Sequence, residues 1–168
     1  MKINFSIGPS PIGKLLVAQS EKGLCAVQVR DSERALERSL HERFSDAMVV
    51  RDEKGVAPLR RLVLSSIAGK PASSSLNLDV RGTDFQRAVW RELRRIPSGT
   101  TRSYADIAKA IGRPKATRAV ANACGANNLP VVIPCHRVIA KDGTIGGYTG
   151  SLRIKRALLE AEGVQIRA

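Results

Sequence analysis

Apolar positions alternate or run briefly through Ile3–Ile7, Leu15–Ala18 and Leu24–Val29, with Gly, Pro and Ser in the gaps. Short runs broken by turn formers predict a small antiparallel meander. The period then changes. Ala35, Leu36, Leu40 and Phe44 recur near helical spacing behind a capping residue, Asp31 or Ser32, which predicts a helix to about Phe44. Met48–Arg51 adds a strand, and Val56–Ala68 reads as a second amphipathic helix ended by Gly69-Lys70-Pro71. Ala72-Ser73-Ser74-Ser75 is the best linker, so the chain divides into an N-terminal α/β lobe, residues 1–75, and a C-terminal lobe, residues 76–168.

The second lobe reads as mainly helical. Thr83 with Gln86 three residues on forms a capping box, and Phe85, Val89, Leu93 and Ile96 continue as an apolar stripe that Pro97-Ser98-Gly99 closes. Ser103 and Asp106 open a short helix from Tyr104 to Ala110. Gly112-Arg113-Pro114-Lys115 turns the chain, and a second helix runs from Ala116 to about Cys124. Helix, glycine-containing turn and helix in this spacing is a helix-turn-helix pattern, although many all-helical cores contain such a pair. Arg113, Lys115 and Arg118 on the turn and second helix favour the DNA-binding reading. The apolar run Val131-Val132-Ile133 predicts a strand ending in a turn, and Ser151 caps a last helix that carries Glu162. Between them, the glycine-rich stretch Lys141 to Gly150 fits neither a P-loop nor a dinucleotide fingerprint, and a flexible wall around a planar ligand suits it better.

Composition narrows the classes. A hydrophobic content of 43% in 168 residues is enough for a real core and excludes wholesale disorder. No apolar run is long enough for a membrane span, and the N-terminus lacks a signal-peptide stretch, so a cytoplasmic protein (nucleoid-associated in a prokaryote) without a membrane partner is expected. Cys25, Cys124 and Cys135 make an odd count that argues against a disulfide framework, and their spacing matches no zinc pattern. No metal and no cofactor is expected. The charge is uneven: residues 1–80 hold 12 basic and 9 acidic side chains, whereas residues 81–168 hold 16 and 6. A highly soluble surface is one account of that excess, and a nucleic-acid partner for the C-terminal lobe is the other.

The chemistry concentrates at Ile133-Pro134-Cys135-His136-Arg137-Val138. Pro134 restricts the backbone beside a thiol whose sequence neighbour is an imidazole. A core cysteine needs neither. A nucleophilic cysteine needs a fixed position, restricted water and a base that favours the thiolate. Cys25 and Cys124 read as structural, and Trp90 falls in the apolar helix pattern as a core residue.

Together these features make the chain resemble the O6-alkylguanine-DNA alkyltransferases, the methylated-DNA–protein-cysteine methyltransferases that include the C-terminal domain of Ada. The resemblance runs from about Arg81 to Gly163. It includes Phe85-Gln86-Arg87-Ala88-Val89-Trp90, Ile96-Pro97-Ser98-Gly99, Ser103-Tyr104, Arg118-Ala119-Val120, Asn127, the Pro-Cys-His-Arg element and Gly147-Tyr148; the first lobe is similar more loosely, at Ser10-Pro11-Ile12-Gly13 and Glu21-Lys22-Gly23-Leu24.

The resemblance implies a ribonuclease-H-like α/β roll followed by a helical DNA-binding lobe, an α+β protein overall. It implies direct, irreversible transfer of the alkyl group of O6-alkylguanine, and of O4-alkylthymine, to Cys135. On this model His136 takes the thiol proton through a water, Glu162 orients the imidazole, and Tyr104 stabilises charge on the departing base. The Thr149 amide serves the O6 side, the Cys135 and Val138 carbonyls accept from the exocyclic amine, and Tyr148 belongs to the same pocket. Arg118 fills the gap left by the flipped base, Asn127 holds the turn behind the active site, and Arg113, Lys115 and Arg137 contact DNA. The partner implied is double-stranded DNA with alkylated bases, met in the minor groove without sequence preference by a monomer, with cooperativity along DNA left open. Some relatives bind zinc in the first lobe, but Cys25 and His41 alone do not supply such a site. Two rival readings make different expectations. A cysteine hydrolase using Cys135 and His136 turns over without DNA, and a non-enzymatic DNA-binding regulator survives Cys135→Ala.

Overall fold

The computed structural model describes residues 1–70, 76–148 and 151–166. The predicted meander is present as β1 (Lys2–Gly8), β2 (Lys14–Ser20) and β3 (Gly23–Arg30), with β4 (Met48–Arg51) added parallel to β1 to give the order β3-β2-β1-β4. Both faces of this sheet are covered, which is why β2 and β3 read as near-continuous apolar runs. On one face Phe5, Ile7, Leu16 and Ala18 meet Leu36 and Leu40 of α1 (Glu33–Arg43); Ser32 is its N-cap, accepting from the Ala35 amide. On the other face Leu15, Val17 and Val27 meet Val56, Val63 and Ile67 of α2 (Glu53–Ile67) and continue into the core of the second lobe.

α2 starts earlier than its apolar pattern, because Asp52 caps it by accepting from the Gly55 amide at 2.9 Å. The first turn is polar, so hydrophobic periodicity alone begins only at Val56. The linker expected at 72–75 lies outside the described residues. Just beyond it, Leu78 pairs with Leu24 at the edge of β3, where the Leu24 amide donates to the Asn77 carbonyl and the Leu24 carbonyl accepts from the Asp79 amide. Gly23, at φ 140°, turns the chain there, and a side chain would collide with the Asn77 carbonyl.

The second lobe holds α3 (Asp84–Leu93), α4 (Tyr104–Ala110), α5 (Thr117–Gly125) and α6 (Leu152–Ala161). The capping boxes at Thr83/Gln86 and Ser103/Asp106 are both formed. α3, α4 and α5 pack on one another, and the buried Trp90 ring donates from Nε1 to the Ala123 carbonyl at 2.8 Å, locking α3 to α5.

Two expectations need correction, and one element was not foreseen. Val131–Ile133 is a buried turn and not a strand, with Val131 at φ 77°. Apolarity there reflects burial on all sides, and the left-handed backbone of a β-branched residue is held by the contacts around it. Helix α6 ends at Ala161, leaving Glu162 as its C-cap. A short parallel ladder, β5 (Arg102–Ser103) with β6 (Val138–Ile139), was also not foreseen, since two residues carry no periodicity. This ladder ties the segment after the Cys-His pair to the N-terminus of α4, which places Tyr104 beside the thiol.

Candidate active site

Cys135 opens a single 3₁₀ turn, Cys135–Arg137, and its amide donates to the Ile133 carbonyl at 2.8 Å. The residue is buried, and desolvation pushes its thiol up against an opposing hydrogen bond from Asn127 and the nearby Lys155 charge. A thiolate therefore does not persist unaided. Beside it, His136 is 1% exposed. Its Nε2 lies 3.0 Å from Glu162 Oε2, and its Nδ1 is buried with no protein hydrogen-bond partner. Burial lowers the His136 pKa although the Glu162 bond opposes that shift, so the ring is held neutral at physiological pH. With Glu162 accepting from Nε2–H, the tautomer leaves Nδ1 as the basic nitrogen.

Arg137 was expected at the DNA surface, but its guanidinium turns inward. Nε and Nη2 donate to the two Glu162 oxygens at 2.9 and 2.7 Å, and Nη1 donates to the Ile96 carbonyl at 2.7 Å. This fork and the His136 bond hold Glu162 down at about 2, against desolvation that would raise it. Glu162 is thus a fixed anion on which both neighbours are oriented.

Asn127 is buried behind the thiol. Its Nδ2 donates to the Ile133 carbonyl and its Oδ1 accepts from the Leu129 amide, both at 2.8 Å, which clamps the turn from α5 to Cys135. A residue that sequence reading passed over stands on the other side. Lys155 is fully buried, and its Nζ donates to the Val138 carbonyl at 2.7 Å and the Gly147 carbonyl at 2.8 Å. Burial lowers its pKa to about 8, partly offset by the Cys135 and Cys124 thiols. The signal was available: Lys155 lies three and four residues before Leu158 and Leu159, inside the apolar stripe.

A cavity of about 360 Å3 opens onto the thiol, lined by Tyr104, Cys124, Gly125, Cys135, Gly147 and Tyr148 among others. Tyr104 donates weakly to the Gly147 carbonyl at 3.4 Å, and burial and then the two thiols push its phenol up, so it stays a neutral donor. Tyr148 is pushed up well above its usual value by burial and then Cys135. Gly146, at φ 70°, passes so close to Tyr104 Oη that a side chain would crowd it. The Val138 carbonyl, spoken for by Lys155, keeps a second lone pair, as does that of Cys135, which accepts from the Val138 amide. Thr149 lies outside the described residues. Arg113, Lys115 and Arg118 are all exposed, Arg118 in the first turn of α5 and Arg113 at 5.9 Å over the Phe85 ring. Among the described residues no group of three or more His, Cys, Asp or Glu could hold a metal ion.

The arrangement is a buried thiol, a neutral imidazole tied to a carboxylate, and two phenols on one cavity. Comparison with known proteins gives the family. A family model described as 6-O-methylguanine DNA methyltransferase, DNA binding domain, covers residues 84–164, and its companion, the ribonuclease-like domain, covers residues 4–80. The bifunctional transcriptional activator/DNA repair enzyme Ada of Escherichia coli is 41% identical over 162 residues, spanning 96% of this chain and 46% of Ada. A methylated-DNA–protein-cysteine methyltransferase of Methanosarcina acetivorans is 40% identical over 95% of this chain and 97% of its own length. The crystal structure of Mycobacterium tuberculosis OGT in complex with DNA superposes with a TM-score of 0.78 at 36% identity, covering 95% of this chain and 92% of that one. The chain thus spans about half of Ada and nearly the whole of the archaeal relative. With both lobes matched in order, it belongs to the 6-O-methylguanine DNA methyltransferase family.

Proposed function

We propose that this protein repairs DNA by taking the alkyl group of O6-alkylguanine, and of O4-alkylthymine, onto Cys135. The observation that carries the reading is the shared cavity: Cys135, Tyr104 and Tyr148 face one space next to the His136–Glu162 pair. The alkyl carbon is inaccessible inside a stacked duplex, so the damaged base is flipped into that cavity. His136 Nδ1 removes the thiol proton through a water, and the sulfur attacks the alkyl carbon. The carbon–O6 bond breaks, its electrons stay on the base, and one proton returns to the ring. Tyr104 donates a hydrogen bond to the charge that develops there. A thioether does not hydrolyse under these conditions, so the protein is consumed in one turnover and no cofactor enters the balance.

The α4–turn–α5 pair serves as the helix-turn-helix that meets DNA in the minor groove, without sequence preference and as a monomer. Arg118 at the start of α5 fills the vacated stack, and Arg113 and Lys115 hold phosphates. The inward Arg137 acts through Glu162 and not through DNA. The two lobes divide at residues 75 and 76.

The test is a duplex oligonucleotide with one O6-methylguanine, mixed with a slight excess of protein and read by intact and peptide mass spectrometry. One methyl group on Cys135 with one guanine restored per protein, and neither with Cys135→Ala, is expected. DNA bound without methyl transfer would overturn the reading.

A further inference from the structure

A second cavity, of about 450 Å3, lies between the lobes on the far side of Tyr148, which lines both this space and the Cys135 cavity. Its rim carries three guanidiniums: Arg30 from the end of β3, Arg43 from the end of α1 and Arg153 from the first turn of α6. Several other arginines find partners: Arg51 meets Glu33, Glu37 and Glu53, Arg81 meets Asp79, Arg137 meets Glu162, and Arg60 is satisfied by the Leu15 and Pro9 carbonyls. Among the described residues no carboxylate stands within ion-pair distance of Arg30, Arg43 or Arg153, although Asp31 also lines the space.

The site is also built. With its amide oriented to satisfy its neighbours, Gln28 accepts from Arg43 Nη2 at 2.9 Å and Nη1 at 3.2 Å, which aims the guanidinium without neutralising it. Desolvation lowers the Arg43 pKa, and the like charge of Arg30 adds to that against an opposing contribution from Cys25. The N-terminus of the ten-residue α6, with Ser151 as its cap, opens onto the same space and adds its positive dipole end. Uncompensated cations on the rim of a concave site of this size select a compact polyanion, and the planar fork of arginine matches phosphate oxygens in pairs.

We propose that this interlobe cleft is a phosphate-binding site, separate from the recognition helix, that takes a phosphate group carried by a free anion or by a DNA strand. The site does not depend on alkyl transfer, so it stands or falls apart from the repair reaction. Because Tyr148 walls both spaces, an occupant here bears on the face of the alkyl-acceptor cavity.

The test uses the full chain without DNA, titrated with inorganic pyrophosphate at low salt and followed by calorimetry and by the arginine Nε resonances. Saturable one-to-one binding is expected, weakened at least tenfold in Arg43→Gln and in Arg153→Gln and unchanged in Arg61→Ala, an exposed arginine of α2 away from the cleft. Thermal unfolding checks that each variant is folded, and Arg153→Gln carries the test if Arg43→Gln is not. Non-saturating titration, or binding that survives both cleft substitutions, would overturn the proposal. A short single-stranded oligonucleotide then separates the sources. Displacement of pyrophosphate assigns the site to a DNA strand, and persistence of bound pyrophosphate assigns it to a free anion.

Discussion

Glu162 Oε2 lies 3.0 Å from His136 Nε2, and the carboxylate that makes this bond is simultaneously forked by Arg137. The imidazole next to the nucleophile is therefore oriented by a group that is itself immobilised. The carboxylate comes from the C-cap of α6, the guanidinium from the 3₁₀ turn, and the Ile96 carbonyl beyond it from the end of the α3 segment.

Glu162→Gln should lower both stability and transfer rate. The side chain is 1% exposed, and removing one member of a buried charge pair costs about 3 kcal/mol. The pH dependence has a fixed sign. Glu162 is held at about 2 against an ordinary 4.5, so its contribution is complete above about 4.5 and is lost as pH falls toward 2. Urea midpoints should fall between about pH 5 and pH 3 in the wild type. Equal slopes in Glu162→Gln would dissociate the carboxylate from this acid sensitivity.

The thiol should be a poor nucleophile by itself. Burial raises Cys135 and lowers His136, so the neutral pair persists below the ordinary histidine value of 6.5. Iodoacetamide should label Cys135 more slowly than a free thiol near neutral pH. Single-turnover repair rates should stay level as pH falls through 6.5 and decline only below it. A midpoint at or above 6.5 would show that the imidazole is not held neutral.

Asn127→Ala removes two buried hydrogen bonds, leaving the Leu129 amide unpaired and the Ile133 carbonyl with only its bond from the Cys135 amide. The expected loss is about 2 to 4 kcal/mol, seen as a lower urea midpoint at unchanged slope. Retained stability would mean that the turn into Cys135 is held by its apolar packing instead.

Lys155→Met is a reversed case. The ammonium is held at about 8 against 10.5, so the native state binds fewer protons than the unfolded chain between those values. The contribution of Lys155 to stability therefore rises through this window by about 3 kcal/mol, read as the wild-type profile minus that of Lys155→Met, because the buried thiols, pushed up by desolvation, lose stability over the same range. Repair should slow by about tenfold or more, because the Val138 and Gly147 carbonyls lose their charged donor.

Arg118→Ala should slow repair of duplex substrate by about tenfold while leaving the unfolding midpoint in place, since unstacking costs a few kcal/mol and the side chain is exposed. Lys115→Ala should instead reduce the salt slope of DNA affinity by about one. Equal repair rates on duplex by Arg118→Ala and the wild type would remove the finger role.

Much of this molecule could be read directly from local chemistry. The strands β1 to β4, the two capping boxes and the limits of α4 follow from periodicity and from side chains that satisfy helix-end amides nearby in the chain. The nucleophile was legible for the same reason, since Pro134, Cys135 and His136 are contiguous. Val131–Ile133 was misread because apolarity reports burial and not backbone conformation, and a turn buried on all sides looks like a strand.

Local chemistry along the chain specifies most of the elements, the reactive cysteine with its imidazole, and the positive charge of the second lobe. Where the long side chains go depends on packing between distant segments. Arg137 was expected on DNA and Lys155 drew no reading, yet one is turned onto Glu162 and the other is buried between the Val138 and Gly147 carbonyls. Their partners lie at separations no periodic pattern encodes, and a flexible cationic side chain takes whichever acceptor the packed backbone offers. The cleft around Arg30, Arg43 and Arg153 arises in the same way, from three distant segments that meet only when the two lobes close on one core.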